Sequence, residues 1–415
     1  MESNHPAAYF PQITVSLFEP AHPFGIQIHM MELAKKEMAY AHQKGWMAMK
    51  ELQVVWRSSS RRSTGIGIAG REYALSLRRL GVLAKGGGAS ATAKKTVLIH
   101  HGRPQSLNMT KPRLNYDCIL LTTVWETTRL PPGWADRINR YDGVCVPSRH
   151  NKQALLHSGV KVPIFIVPHG VDTRLFAPIN TPKKLPLPKG TFVFVSVFTF
   201  QHRKNPETLL RAFWEEFTSR DKVALLIKTG SANLFFPAQR IPRIVRTYKK
   251  KLGLPHKSAP LLLLSGHIPP SMLQSLYAAG NAYVLPTRGE GVGLPFLEAM
   301  ASGLPVIATG WGGQMDFLNG KNAFLIPYKL MPPGKSMRRA ISPRFRSLFH
   351  RKGQLWAEPD IRALKRIMRY AYEHPEQCRR MGRLARKAAR RQSWDQAGLA
   401  LLKAVEEVAR LSNRK

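Results

Sequence analysis

Two glutamates eight residues apart, Glu290 and Glu298, frame the stretch of this 415-residue chain best suited to chemistry, LPTRGEGVGLPFLEAMASGLPVIAT at 285–309. Gly291 and Gly293 let the backbone come close to a ligand. The N–H groups of Val292, Gly293 and Leu294 would point out of a helix N-terminus, which makes an anion site suited to a phosphate or diphosphate. Spacing alone also admits a plainer reading. An acid in a first helical turn is favoured by the helix dipole, and a glycine-rich strand-to-helix turn can be simple geometry.

The elements that hold this stretch read as strand end, loop, short helix, turn and strand. Pro295 suits the first helical position and Gly303 the residue just past the helix end, after which 304–308 begins a buried strand. From residue 51 onward strands and helices alternate, which implies α/β architecture with parallel sheets and helices on both faces. Two further polar clusters follow predicted strands. The strand at 96–100 runs into His101 and Arg103, and that at 118–123 into Glu126 and Arg129. These are the carboxyl ends of parallel strands, where α/β sheets bind ligands. After the first strand, Gly65, Gly67 and Gly70 read as a loop before a helix at 71–80. As a dinucleotide fingerprint this is weak, since no acid follows at the ribose-binding place. No Ser/His/Asp or Cys/His order suggests a hydrolytic nucleophile.

Length and 44% hydrophobic content allow two full cores. No apolar run is long enough to span a bilayer, and no N-terminal segment has the order of a signal peptide. Cys118, Cys145 and Cys378 have no metal-like spacing. The first two sit in apolar runs as reduced core residues, and a reducing cytoplasm is the expected location. With 64 Lys+Arg against 25 Asp+Glu, the formal net charge is +39. Such a chain seeks polyanions; the alternative is a compositional bias of solvated surfaces. No zinc-finger spacing, RNP-type aromatic motif or basic region with heptads is present, so no specific nucleic acid is expected.

Glu290-Gly-Val-Gly-Leu-Pro-Phe-Leu-Glu298-Ala-Met-Ala-Ser-Gly-Leu-Pro-Val-Ile-Ala-Thr resembles the E-x7-E signature of retaining glycosyltransferases of family 4 (group 1), which have the GT-B fold. A second stretch, Pro168-His169-Gly170-Val171-Asp172 with Phe176, is similar to the run that closes their N-terminal domain. The resemblance covers roughly 50–411 and implies two Rossmann-like domains facing an interdomain cleft, with the last helix crossing back to the first domain. The domains expected are 49–176 for the acceptor, a proline- and lysine-rich linker at 177–190, and 191–392 for the nucleotide sugar. A basic insertion at 329–354 interrupts the second, and a C-terminal helix fills 393–415. Residues 1–48 precede Met49, a natural start, and are either an extra surface element or an extension without catalysis.

The resemblance implies a nucleotide diphosphate sugar donor, a glycan or lipid-linked acceptor, no cofactor and no obligatory metal. It assigns Glu290 to donor sugar hydroxyls and Glu298 to ribose hydroxyls. Lys204 and the amides of Val292, Gly293 and Leu294 hold the diphosphate. Gly65 and Gly67 approach donor or acceptor, and the loop with His267 and Ile268 lies beside the base. His101, Arg103, Glu126 and Arg129 fall on the acceptor side, and Glu290, Lys204, Glu126 and His101 are the expected catalytic residues. One departure stands out: the Gly-Arg that many members carry after the first strand of the second domain is Phe198-Thr199 here, so Arg203 is expected to replace that arginine. Two alternatives are a nucleotide-sugar epimerase on the same fold and a non-catalytic polyanion-binding module. The basic excess further suggests peripheral contact with an anionic membrane.

Overall fold

In the computed structural model the described residues are 52–58, 64–84, 94–179, 184–230, 236–254 and 258–412. The expected extension at 1–48 and part of the linker, 180–183, lie outside them. The first half alternates β1 (Leu52–Ser58), α1 (Gly65–Arg79), β2 (Lys95–His101), α2 (Thr110–Asn115), β3 (Cys118–Thr122), α3 (Trp134–Ile138), β4 (Gly143–Val146), α4 (Arg149–Leu156) and β5 (Ile164–Ile166). The second runs through β6 (Phe192–Thr199), α5 (Pro206–Glu216), β7 (Val223–Gly230), α6 (Ile241–Lys251), β8 (Leu261–Ser265), α7 (Pro270–Ala278), β9 (Ala282–Leu285), α8 (Leu294–Ala301), β10 (Val306–Thr309) and β11 (Ala323–Ile326). Continuous apolar runs form these strands, as expected where both sheet faces are covered.

Every pairing in the two large sheets is parallel. The first sheet winds in one direction, β1-β2-β3-β4-β5. The second is doubly wound, β11-β10-β9-β6-β7-β8. Its order reverses between β6 and β9, and a crevice outside the carboxyl ends of strands opens at such a switch point. The loop after β6 carries Arg203 and Lys204, and the loop after β9 carries Glu290.

The expected loop at Gly65–Gly70 is corrected: α1 already begins at Gly65. Thr64 caps it by accepting from the Gly67 amide, which satisfies an orphan N–H and offsets the low helix propensity of the glycines. Gly70 is required by packing, because a Cβ there would lie 2.7 Å from the His101 ring.

The insertion hangs from an antiparallel ribbon, β12 (Tyr328–Met331) with β13 (Trp356–Pro359). Between them lie α9 (Pro333–Met337) and α10 (Arg346–Phe349). Met337, Phe349 and Trp356 join Trp125, Leu130 and Trp134 in one buried cluster, so the excursion packs on the first half. Helices α11 (Ile361–Glu373), α12 (Pro375–Ala389) and α13 (Trp394–Ser412) complete the chain. The return of α13 to the first half is direct. Ser76 Oγ donates to the Trp394 carbonyl at 3.0 Å, and Lys95 Nζ reaches the Ala409 carbonyl.

Candidate functional site

The turn after β6 brings two cations inward. Residues His202–Lys204 form a 3-10 turn that ends at Asn205, whose φ of 59° lies in the left-handed region that asparagine tolerates. Asn205 caps α5 through the Thr208 amide and donates its Nδ2 to the Pro286 carbonyl at 3.0 Å. The Arg288 amide donates to the Arg203 carbonyl at 2.8 Å. The loops from β6 and β9 are thus fastened side by side.

Between them lies a buried ionic cluster. Lys204 Nζ is 2.6 Å from Glu290 Oε1, and Arg203 Nη1 is 3.1 Å from Glu290 Oε2. Arg203 Nη2 reaches Glu126 Oε1, from the first half, at 3.2 Å. The Thr287 hydroxyl also donates to Glu290 at 3.0 Å. Burial alone would raise the Glu290 pKa, but Lys204 and Arg203 outweigh it and hold the carboxyl below its ordinary value. Glu126 goes the other way, because burial outweighs Arg203. Arg203 keeps one polar atom, Nε, buried without a partner. An anionic ligand here would compete with Glu126 and Glu290 for the two cations.

Gly293, at φ 87°, opens α8, and a Cβ on Gly65 would lie 4.0 Å from Leu294. The start of α1 therefore lies close to the N-terminus of α8. Glu298 lies further along α8, where Tyr277 donates its hydroxyl at 2.8 Å. Burial raises its pKa to about 7, against the pull of that hydrogen bond and of Lys228.

A pH dependence follows from Glu298. Its folded pKa exceeds the ordinary 4.5, so the native state holds more protons between about 4.5 and 7 and stability falls as pH rises. The contribution is complete below the ordinary value and is lost as pH rises through about 7. A shift of this size corresponds to about 3–4 kcal/mol. Denaturant unfolding at pH 5 and pH 8 should show this decline in the wild type and a flatter profile in Glu298→Gln. Equal slopes would show that Glu298 ionises freely.

The two halves are stitched together at the Glu290 loop. Ser148 Oγ and Asn151 Nδ2 donate to the Gly291 carbonyl at 2.8 and 3.0 Å. The Arg149 amide donates to Asp316 at 2.9 Å, and His150 meets Trp311 edge to face. Sequence reasoning missed Ser148 and Asn151. The Ser148 cap before α4 is readable as a helix start, but its carbonyl partner 143 residues away is not. It also missed Arg288, which grips Glu358 on β13 through two contacts of 2.7 and 3.1 Å and donates to the His202 carbonyl.

Of the other candidates, buried His101 lines the same cavity as Glu126 and Arg203. His101 holds Thr122 Oγ1 at 2.6 Å and the Ile66 carbonyl at 2.8 Å, and burial lowers its pKa, so the neutral ring supports the start of α1. Arg129 is exposed and donates to the His157 carbonyl at 2.6 Å. His267 is exposed and Ile268 half-buried in the loop after β8. Exposed Arg103 borders a cavity of about 480 Å³ that Glu126, Arg203 and Trp125 also line.

The architecture is the GT-B fold: two parallel α/β halves with the ionic cluster between them and a returning C-terminal helix. Comparison with known proteins agrees. Residues 189–333 match the family described as "Glycosyl transferases group 1". A D-inositol 3-phosphate glycosyltransferase of Acidothermus cellulolyticus is 29% identical over 171 residues, which is 39% of this chain and 37% of the relative. The alpha-monoglucosyldiacylglycerol synthase of Streptococcus pneumoniae is 26% identical over 177 residues, 41% of this chain and 37% of the relative. The matches thus span about two fifths of the relatives' own length. Among solved structures, Anabaena HepE in complex with UDP superposes with a TM-score of 0.59 at 13% identity, covering 86% of this chain and 100% of that one. Sucrose-phosphate synthase from Thermosynechococcus elongatus gives 0.53 at 18%, covering 91% and 77%.

Proposed function

We propose that this chain is a retaining family-4 glycosyltransferase that moves a sugar from a nucleotide diphosphate sugar to a glycan or lipid-linked acceptor in cell-envelope or polysaccharide synthesis. The observation that carries the reading is the buried Lys204–Glu290 pair at 2.6 Å, placed at the switch point beside the α8 N-terminus inside the matched segment. The acceptor oxygen bonds to the anomeric carbon, the bond from that carbon to the leaving phosphate oxygen breaks, and the acceptor proton passes to that phosphate. Arg203, Lys204 and the amides at Val292–Leu294 would stabilise the developing diphosphate charge by fixed, preorganised contacts. With these cations in place the reading needs no obligatory metal. Glu290 would orient the sugar hydroxyls and Glu298 the ribose. Incubation with a panel of nucleotide sugars, scored by released nucleotide and by the sugar found on an acceptor, tests it. Release from none would sink the proposal, and an epimerised sugar left on its nucleotide would replace it.

The location we propose is the cytoplasm, with peripheral docking on an anionic membrane face. No helix among the described residues is long and apolar enough to cross a membrane. Lys335, Arg338, Arg339, Arg344, Arg346, Arg351 and Lys352 are all exposed on the insertion. Near an anionic surface each basic residue contributes about 1 kcal/mol, screened beyond roughly 8–10 Å at physiological salt. The protein should sediment with anionic vesicles at low salt, leave them at high salt and ignore neutral ones. Charge reversal at Arg338, Arg339, Arg344 and Arg346 should weaken that binding. Equal sedimentation with neutral vesicles would leave the charge as surface composition.

A further inference from the structure

The group 1 match ends at residue 333, where the chain leaves the second half for the insertion. That excursion is fastened at both ends. Near its start, Ser336 Oγ lies 3.0 Å from His202 Nε2. The His202 amide also donates to the Pro343 carbonyl at 2.9 Å. His202 directly precedes Arg203 and Lys204, so the insertion is tied to the loop that supplies the two cations. At its other end, Gln354, 1% exposed, donates to the carbonyls of Leu348 and Arg129. The Leu355 amide donates to Thr128 Oγ1 at 2.9 Å.

Between these anchors the chain crosses the cavity. Phe345, Leu348 and Phe349 form part of its wall, with Glu126 and Arg203 in another part. Phe345 holds φ at 46°, the left-handed region that a bulky side chain avoids. Such a conformation persists where the surroundings over-determine it, and it clusters at ligand clamps. Phe349 packs on Trp125, with ring centroids 5.4 Å apart, and Trp125 meets Trp134 at 4.9 Å. The lining thus combines flat apolar rings with a carboxylate and two arginines.

We infer that the insertion roofs the acceptor cavity, and that Phe345 and Leu348 select a compact acceptor, a single sugar or cyclic polyol ring, over the end of a longer glycan. This rests on the glycosyltransferase reading and deepens it. A ring sugar has an apolar C–H face for the aromatic rings and hydroxyls for the charged groups, the mixture of lining that small-ligand sites share. A space of about 480 Å³ falls in the range of small-molecule sites, ~300–1,000 Å³. Because Arg203 touches both Glu126 and Glu290, a ring held there presents a hydroxyl next to the proposed donor site.

The test uses the full chain with the nucleotide sugar that it turns over, and acceptors offered as single rings and as the same rings ending a trisaccharide. Wild type should prefer single rings. Phe345→Gly keeps the left-handed backbone available while removing the ring, and Leu348→Ala trims a second contact. Each should raise the single-ring KM at least about tenfold and narrow the preference over the trisaccharide. Calorimetric binding of the released nucleoside diphosphate should persist, which a general loss of fold would abolish. Unmoved acceptor KM values in both variants, or a wild-type preference for the trisaccharide, overturn the inference alone. A wild type that releases no nucleotide from any donor overturns the underlying reading and the inference with it.

Discussion

Glu290→Gln should lower turnover by at least about 10²-fold, the scale of a lost electrostatic contact in a preorganised site, while binding nucleoside diphosphate more tightly than wild type. Both effects follow from the same cluster. Glu290 neutralises Lys204 and Arg203, and its buried carboxylate stays ionised because they surround it. Glutamine keeps the size and one acceptor oxygen but removes the charge that, in the proposed reading, accepts the sugar hydroxyls, so the chemical step should suffer. The two cations meanwhile lose a competitor for the diphosphate. A charge-assisted hydrogen bond is worth roughly 1.5–3 kcal/mol, and every 1.4 kcal/mol is about tenfold, so a gain of at least about tenfold in diphosphate affinity is expected. Steady-state turnover and calorimetry on the variant separate the two. Turnover close to wild type would show that Glu290 serves the fold and not the sugar.

What the sequence made legible follows local rules. Pro295 and Gly303 mark the ends of α8, and the apolar runs and the glycine-rich turn place Glu290 and Glu298 without help from the rest of the chain. Lys204 was readable as a basic residue after a strand, but its ion pair with a residue 86 positions away was not. That pairing depends on β6 lying beside β9, a consequence of sheet order. The start of α1 was misplaced for a similar reason. Three glycines weaken helix propensity locally, whereas the Gly70 contact with the His101 ring is tertiary. The insertion hid its role most completely. Met337, Phe349 and Trp356 are scattered among basic residues with no helical or strand period, yet they complete a core belonging to the first half.

Gly289→Ala should remove at least about 10²-fold of turnover with only a small loss of melting temperature. The position is not one of left-handed backbone, so its requirement is space alone. A Cβ there would lie 2.3 Å from the Glu126 backbone carbonyl oxygen across the cleft and 3.3 Å from the Trp311 ring. A backbone oxygen cannot rotate away as a side chain would, so the halves must separate or the Glu290 loop must shift. Either movement stretches the Arg203–Glu126 contact of 3.2 Å and the Ser148 and Asn151 hydrogen bonds to Gly291. Displacing reacting groups by about 1 Å can cost about 10²-fold. The cores of the two halves contain neither group, and most of the folding free energy resides there. Gly320→Ala is the control, since a Cβ at Gly320 would meet nothing within 4 Å. Turnover and thermal melting of both variants decide the point. A Gly289→Ala protein as active as the control would mean that close apposition of Glu126 and the Glu290 loop is not the arrangement in which sugar is transferred.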